Sequence, residues 1–271
     1  MTMNRVINWW IKGVLLAGMM MLAGMAEAVD VSSAEGLASA NGFKGKANWS
    51  GNKVTLTGNV ELSETITITG GDIVLDLDGN AIQNGYETKG WGITWKEYFS
   101  IDIFDITGGT LTIQGAGTIL NRETEGHSTI WVNGGNLILQ GGTISKDSPA
   151  GGSKSGTPAV VVENNGTLRM QGGEIYSEKN TWYAYGLRLK NATFIMEGGK
   201  IKTVKEGSTQ EAISLDIQEG SQVILKGGTI SSPNKAINSY IEFSKIIPRG
   251  YSINGNAAVY DSRKSIDGTA E

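Results

Sequence analysis

Along most of the chain, short runs of alternating apolar and polar residues end in glycine, and one pattern recurs: apolar, any, apolar, polar, Gly, small, any, Ile. It reads Leu75-Asp-Leu-Asp-Gly-Asn-Ala-Ile82, Leu137-Ile-Leu-Gln-Gly-Gly-Thr-Ile144 and Leu168-Arg-Met-Gln-Gly-Gly-Glu-Ile175. It returns as Phe194-Ile-Met-Glu-Gly-Gly-Lys-Ile201 and Val223-Ile-Leu-Lys-Gly-Gly-Thr-Ile230. A sixth copy, from Leu111 to Ile119, carries one extra residue. Alternation with period two is the signature of a strand that buries one face. The glycine pair ends each run and allows a turn with positive φ. A further short strand precedes each unit, as in Ala159-Val-Val-Val162 before Asn164-Asn-Gly166, so each repeat predicts about three strands joined by Asn/Gly corners.

The first glycines of the copies stand at 79, 115, 141, 172, 198 and 227, so the spacings are 36, 26, 31, 26 and 29. A hairpin meander needs no such long period. Stacked coils do, because one coil cannot bury its inner face alone and a stack can. Stacking predicts two interior columns: Leu111, Leu137, Leu168, Phe194 and Val223, and Ile119, Ile144, Ile175, Ile201 and Ile230. The reading is all-β, a single-stranded parallel β-helix of about seven or eight coils, very roughly 35 Å long at the usual strand spacing. Ser32 with Glu35 predicts a capping box opening a short helix that Asn41-Gly42 closes, placed over the N-terminal end of the stack. Pro248 breaks the pattern near the other end, and residues 261–271 read as a polar tail.

Three stretches carry a resemblance: Val31-Ser-Ser-Ala-Glu-Gly-Leu-Ala-Ser-Ala, Thr65-Ile-Thr-Ile-Thr-Gly-Gly-Asp, and Val74 to Ile82. Together they resemble the opening of bacterial exported and surface β-helix proteins of the pectin-lyase-like superfamily, where a helix and a strand pair lead into an LDLNG-x-x-I first coil. Asp78 stands where that family usually has Asn. The resemblance covers nearly all of the chain after the leader and implies a right-handed helix. It says little of activity, since the fold hosts lyases, hydrolases, adhesins and tail spikes alike.

Composition agrees with a turn-rich solenoid: of 271 residues 39 are Gly and only 4 are Pro. With 23 basic and 27 acidic residues there is no clustered basic footprint for nucleic acid. No cysteine is present, which excludes disulfides, thiolate chemistry and a lipid-bearing cysteine anchor. Arg5 and Lys12, an apolar run from Gly13 to Met25, and Ala26-Glu27-Ala28 predict an export signal over 1–28 with the β-helix domain at 29–260. No later stretch is apolar for long enough to span a bilayer. The expected location is extracellular, cell-surface or periplasmic.

The extra residues in the longer repeats fall at one corner, over 83–100, 121–128, 146–158, 177–185 and 202–211, and insertions on one edge of a solenoid often build its binding surface. Aromatics concentrate there. Trp91, Trp95, Tyr98, Trp131, Trp182 and Tyr183 are the candidate ligand-binding residues, since aromatic faces suit stacking on sugar rings. The plain alternative is that these rings fold back and pack on the solenoid. No catalytic signature of the pectin-type hydrolases or lyases is present. Asp76, Asp78, Asp102 and Asp105 alternate outward, as solvated strand residues do. His127, the lone histidine, lies in a polar loop. No metal site or cofactor is expected; Asp76-Leu-Asp-Gly-Asn80 is a weak hint of Ca2+ that turn chemistry explains more simply. The expectation is a secreted or cell-surface, adhesin-like binding protein with a polysaccharide or surface glycan as partner. The alternatives are a polysaccharide lyase or glycoside hydrolase, and a structural module that displays loops or assembles end to end.

Overall fold

The computed structural model describes residues 28–90, 92, 94–122, 126–148, 156–179, 183–205, 211–241, 259–261 and 264–266. The predicted leader lies outside these residues apart from Ala28. The chain winds through three parallel sheets in turn. The first sheet takes, among others, Ile66–Ile68, Phe104–Ile106, Ile130–Asn133, Val160–Glu163, Tyr183–Lys190, Glu211–Ile217 and Lys235–Ser239. The second takes Asp72–Asp76, Thr110–Gln114, Asn136–Leu139, Thr167–Met170, Thr193–Met196 and Gln222–Leu225. The third takes Ala81–Asn84, Thr118–Asn121, Thr143–Ser148, Glu174–Lys179, Lys200–Lys205 and Thr229–Ser231. Each inner strand pairs in parallel with its equivalents one coil before and after, which is a parallel β-helix.

The register stacks like on like. Leu111 faces Leu137, Leu168 follows, then Phe194 and Val223. Ile119, Ile144, Ile175, Ile201 and Ile230 form the second predicted column. All ten are buried. Each fully buried Leu, Ile or Phe side chain stabilises the stack by roughly 1.5–3 kcal/mol. At the tight corner between the first and second sheets the turn leaves no room for a side chain. Gly109 has φ +65°, and a Cβ there would lie 2.3 Å from the Gly71 carbonyl oxygen one coil below.

The N-terminal helix spans Ala34–Ser39 and buries Ala34, Leu37 and Ala38. Its cap is Ser33, not Ser32. Ser33 is extended, and its Oγ accepts from the Gly36 N–H at 3.0 Å. Starting one residue later points the small and apolar face of the helix at the core, against strands Ala47–Ser50 and Lys53–Leu56. In the stretch read as a polar tail, Lys264–Ile266 runs antiparallel to Val259–Asp261.

The third corner differs from the expectation of simple loops. The ladder of the third sheet continues through Ser177↔Thr203, Glu178↔Val204 and Lys179↔Lys205, so part of each insertion is strand. Once neighbouring strands are in register, each added residue gains ladder hydrogen bonds with no new loop to close.

The core is also not wholly apolar. Two residues after each column isoleucine, an inward polar side chain is buried: Asn84, Asn121, Lys146, Ser177, Thr203 and Ser232. Several of these tie down the corner backbone. Asn121 Nδ2 donates to the carbonyls of Ile101 and Ser128, at 2.7 and 2.8 Å. Lys146 Nζ donates to the His127 carbonyl at 2.7 Å, and Ser232 Oγ to the Ala212 carbonyl at 2.6 Å. Buried backbone carbonyls at a tight bend need such donors.

Candidate functional site

The insertion after the second coil forms an arm. Strands Tyr86–Lys89 and Trp95–Tyr98 pair antiparallel as a separate two-stranded sheet. Neither strand joins another sheet, and an isolated hairpin is marginal in water. Side-chain pairs hold this one. Tyr86 and Tyr98 meet edge to face with ring centroids 5.6 Å apart, and Lys96 Nζ lies 4.0 Å from the Tyr86 ring centre. On the opposite face Lys89 pairs with Glu97 at 2.6 Å beside Trp95, which is 56% exposed. At the base, Phe99 packs against the core, and the chain then runs through Ile101 to Asp102.

The chain leaving the arm thus leads straight into the first sheet. There Asp102 Oδ1 accepts from the Ser128 N–H at 2.6 Å, and its Oδ2 lies 3.3 Å from His127 Nδ1. On the next strand position outward, Asp105 stands in register with Trp131 on the coil above. Both are partly buried. Among the described residues, three buried side-chain polar atoms have no hydrogen-bond partner: Asp105 Oδ1, Trp131 Nε1 and Ser221 Oγ. Two of the three are thus neighbours. Burial, then the nearby Asp102 and Glu163 carboxylates, pushes the Asp105 carboxyl up to about 6. An orphaned buried carboxylate destabilises a fold unless something else keeps it, so such atoms mark functional surfaces more often than ordinary strand positions.

The sequence-predicted aromatics do not form one platform. Trp95 and Tyr98 share the arm, but three positions apart on a strand they face opposite sides of it. Trp131 lies on the first sheet, beside Asp105. Trp91 and Trp182 fall outside the described residues. Tyr183 opens strand Tyr183–Lys190, and its side chain also falls outside them. At the turn between the first and second sheets near the C-terminal end, Lys190, Asn191, Gln218, Glu219 and Tyr240 line a separate open cavity of about 420 Å³.

Elsewhere several of the described titratable groups are engaged with one another. Asp76 takes Lys53 Nζ at 2.7 Å, Gln114 Nε2 at 2.9 Å and the Asp78 N–H, which together hold its carboxyl below the ordinary range. Asn80 of the weak Ca2+ pattern turns its NH2 to the carbonyls of Leu56, Leu77 and Asp78. Glu197 receives a bidentate pair of bonds from Arg169, at 2.9 Å each, and another from Gln171, and its carboxyl drops to about 2. Among the described residues no group of three or more His, Asp or Glu side chains is placed to hold a metal ion, and no helix is long and apolar enough to cross a membrane. Comparison of the chain with protein-family models, curated proteins and solved structures gives no match in any of the three.

Proposed function

We propose that this chain is a non-catalytic binding protein, exported by a bacterium and built on a right-handed β-helix of the pectin-lyase-like kind, whose ligand is a polysaccharide or surface glycan. The observation that carries the reading is the arm. Trp95 is more than half exposed, flanked by the Lys89–Glu97 pair, on a hairpin that no core contact explains beyond its base. A flat ring with a cation and a carboxylate at its margin suits a pyranose, whose C–H face stacks while its hydroxyls bond at the rim. The regular solenoid beneath supplies a rigid support. A glycan array probed with wild type and Trp95→Ala tests this: the wild type should bind a restricted set of glycans and the variant should lose most of that signal. Equal binding by the two proteins sinks the arm as a sugar platform.

A hydrolytic reading rests on a different observation, the carboxyl pair at Asp102 and Asp105. Asp102 accepts a backbone N–H at 2.6 Å, and Asp105, three residues on, is raised to about 6 mainly by burial, as a general acid beside a second carboxylate would be. New reducing ends, or unsaturated products absorbing in the ultraviolet, from a panel of polysaccharides would favour it over binding alone, provided Asp105→Asn abolishes them.

A further inference from the structure

We infer that the N-terminal end of the solenoid is an interface between two copies of this chain, which pair through strand Ala47–Ser50 about a two-fold axis.

The inference starts from the hydrogen-bond parity of that strand. Ala47–Ser50 runs antiparallel to Lys53–Leu56 and stands first in the second sheet, and no other described strand pairs with it. The two strands join through the two-residue turn Gly51-Asn52, so Ser50 and Lys53 exchange both backbone bonds. The bond from the Thr57 N–H to the Lys46 carbonyl, at 2.8 Å, continues the same parity. Residues 46, 48 and 50 therefore turn their backbone groups toward Lys53–Leu56. Ala47 and Trp49 turn theirs the other way, two donors and two acceptors along the end of the stack. Sheet edges are normally blunted by charge, proline or a cover. Ala47–Ser50 contains neither charge nor proline. The helix Ala34–Ser39 packs against this strand and still leaves Trp49 48% exposed.

The place of that indole is the second observation. Trp49 stands in register with Val54, and the same register runs on through Leu75, Ile113 and Leu139. All four of these are fully buried. Trp49 is thus the end member of an interior column, on the inward face of the sheet, and half of it lies in water. Ala47, in register with Leu56, is its small neighbour on the same face.

A second copy fits both features. An antiparallel two-fold pairing that sets Ala47 opposite the partner's Trp49 joins all the outward groups in four hydrogen bonds. It lays each indole over the other copy's alanine, large against small, and makes the two apolar interiors continuous. The two neighbouring registers set Trp49 against itself or against Gly45, where the ring meets either a second indole or no side chain. Charge does not oppose the chosen register. Lys46 comes opposite Ser50, and the two lysines lie about 13 Å apart along the strands, beyond the screening length of physiological salt.

The test is sedimentation velocity on protein purified after export, over roughly 1 µM to 1 mM, the range in which so small an interface half-assembles. Monomer and dimer should exchange, with no larger species, because a two-fold contact closes at two. Trp49→Lys puts a charge on the edge, and Ala47→Pro removes an outward donor but no bond to Lys53–Leu56. Each should weaken dimerisation at least ~10-fold, with circular dichroism confirming the fold. Trp95→Ala, on the arm, should leave it unchanged. A chain without cysteine allows a second measurement. Asn48 faces itself across the axis as a pair without mutual hydrogen bonds, with Cα atoms about 4.5 Å apart, within disulfide reach. Asn48→Cys should therefore cross-link into a covalent dimer under mild oxidation, while Asn52→Cys, also exposed, should not. A strict monomer throughout, a mass that keeps growing with concentration, a dimer that survives both edge substitutions, or equal cross-linking at positions 48 and 52 overturns the inference. If neither edge variant folds, the cross-linking decides.

Discussion

Asp105→Asn should stabilise the protein, and only at neutral pH. The carboxyl is raised from the ordinary 3.8 to about 6, mainly by burial and then by Asp102 and Glu163. The folded state thus holds its proton more tightly than the unfolded chain. The resulting stabilisation is fully present below about pH 3.8 and is lost as pH rises through about 6. At ~1.4 kcal/mol per pH unit the difference has a ceiling of ~3 kcal/mol. Asp105 is only partly buried, so solvent screening reduces it to ~1–2 kcal/mol. Asparagine keeps the shape and discards the charge. In urea melts of both proteins from pH 4 to pH 7.5, the other titrations cancel in the difference. The variant's advantage should be smallest near pH 4, grow by ~1–2 kcal/mol up to about pH 6.5 and then level off. A difference that stays flat with pH, or that grows toward acid, refutes the account of this carboxylate.

Other substitutions test the stack. Leu168→Ala removes a fully buried side chain from the middle of its column and should cost ~2–5 kcal/mol in the same melts; a loss under about 1 kcal/mol would mean that the column is not packed. Gly109→Ala forces a positive φ on alanine and a clash with the Gly71 carbonyl, so a loss of at least ~2 kcal/mol is expected, against no change if that turn relaxes freely. Lys146→Met leaves the His127 carbonyl without its lysine donor and should lower stability by ~1–3 kcal/mol; an equally stable variant would show that the inward lysine does not brace the corner. Trp95→Ala, at an exposed position, should change stability by less than ~0.5 kcal/mol, which separates its effect on binding from any effect on folding.

The interior was legible because a solenoid places equivalent residues one above another. Leu137 needs only Leu111 and Leu168 at repeat spacing for its environment to be known. The polar inward column was not legible. Asn121, Lys146 and Thr203 each follow an isoleucine by two and so share its face, yet a polar residue near an insertion reads as the start of a loop. The signal was the constancy of that offset through the repeats. The arm was hidden for the opposite reason. A hairpin with both faces in water has no apolar alternation to announce it, and without its register Trp95 and Tyr98 could not be assigned to opposite sides. Asp105 and Trp131 are 26 positions apart, one coil, so their neighbourhood was implicit in the period. That neither would find a hydrogen-bond partner depends on side-chain placement, which a repeat pattern does not carry.

The central claim is that the exposed Trp95 ring of the arm is the platform of a saccharide-binding surface. It is tested most directly by nuclear magnetic resonance of the protein with labelled indole nitrogens, titrated with a glycan that the array shows bound. Trp49, 48% exposed at the N-terminal end, serves as an internal reference. The account predicts that the Trp95 indole signal shifts saturably while that of Trp49 stays in place. Signals that do not move at high saccharide concentration, or that move only at Trp49, would contradict it.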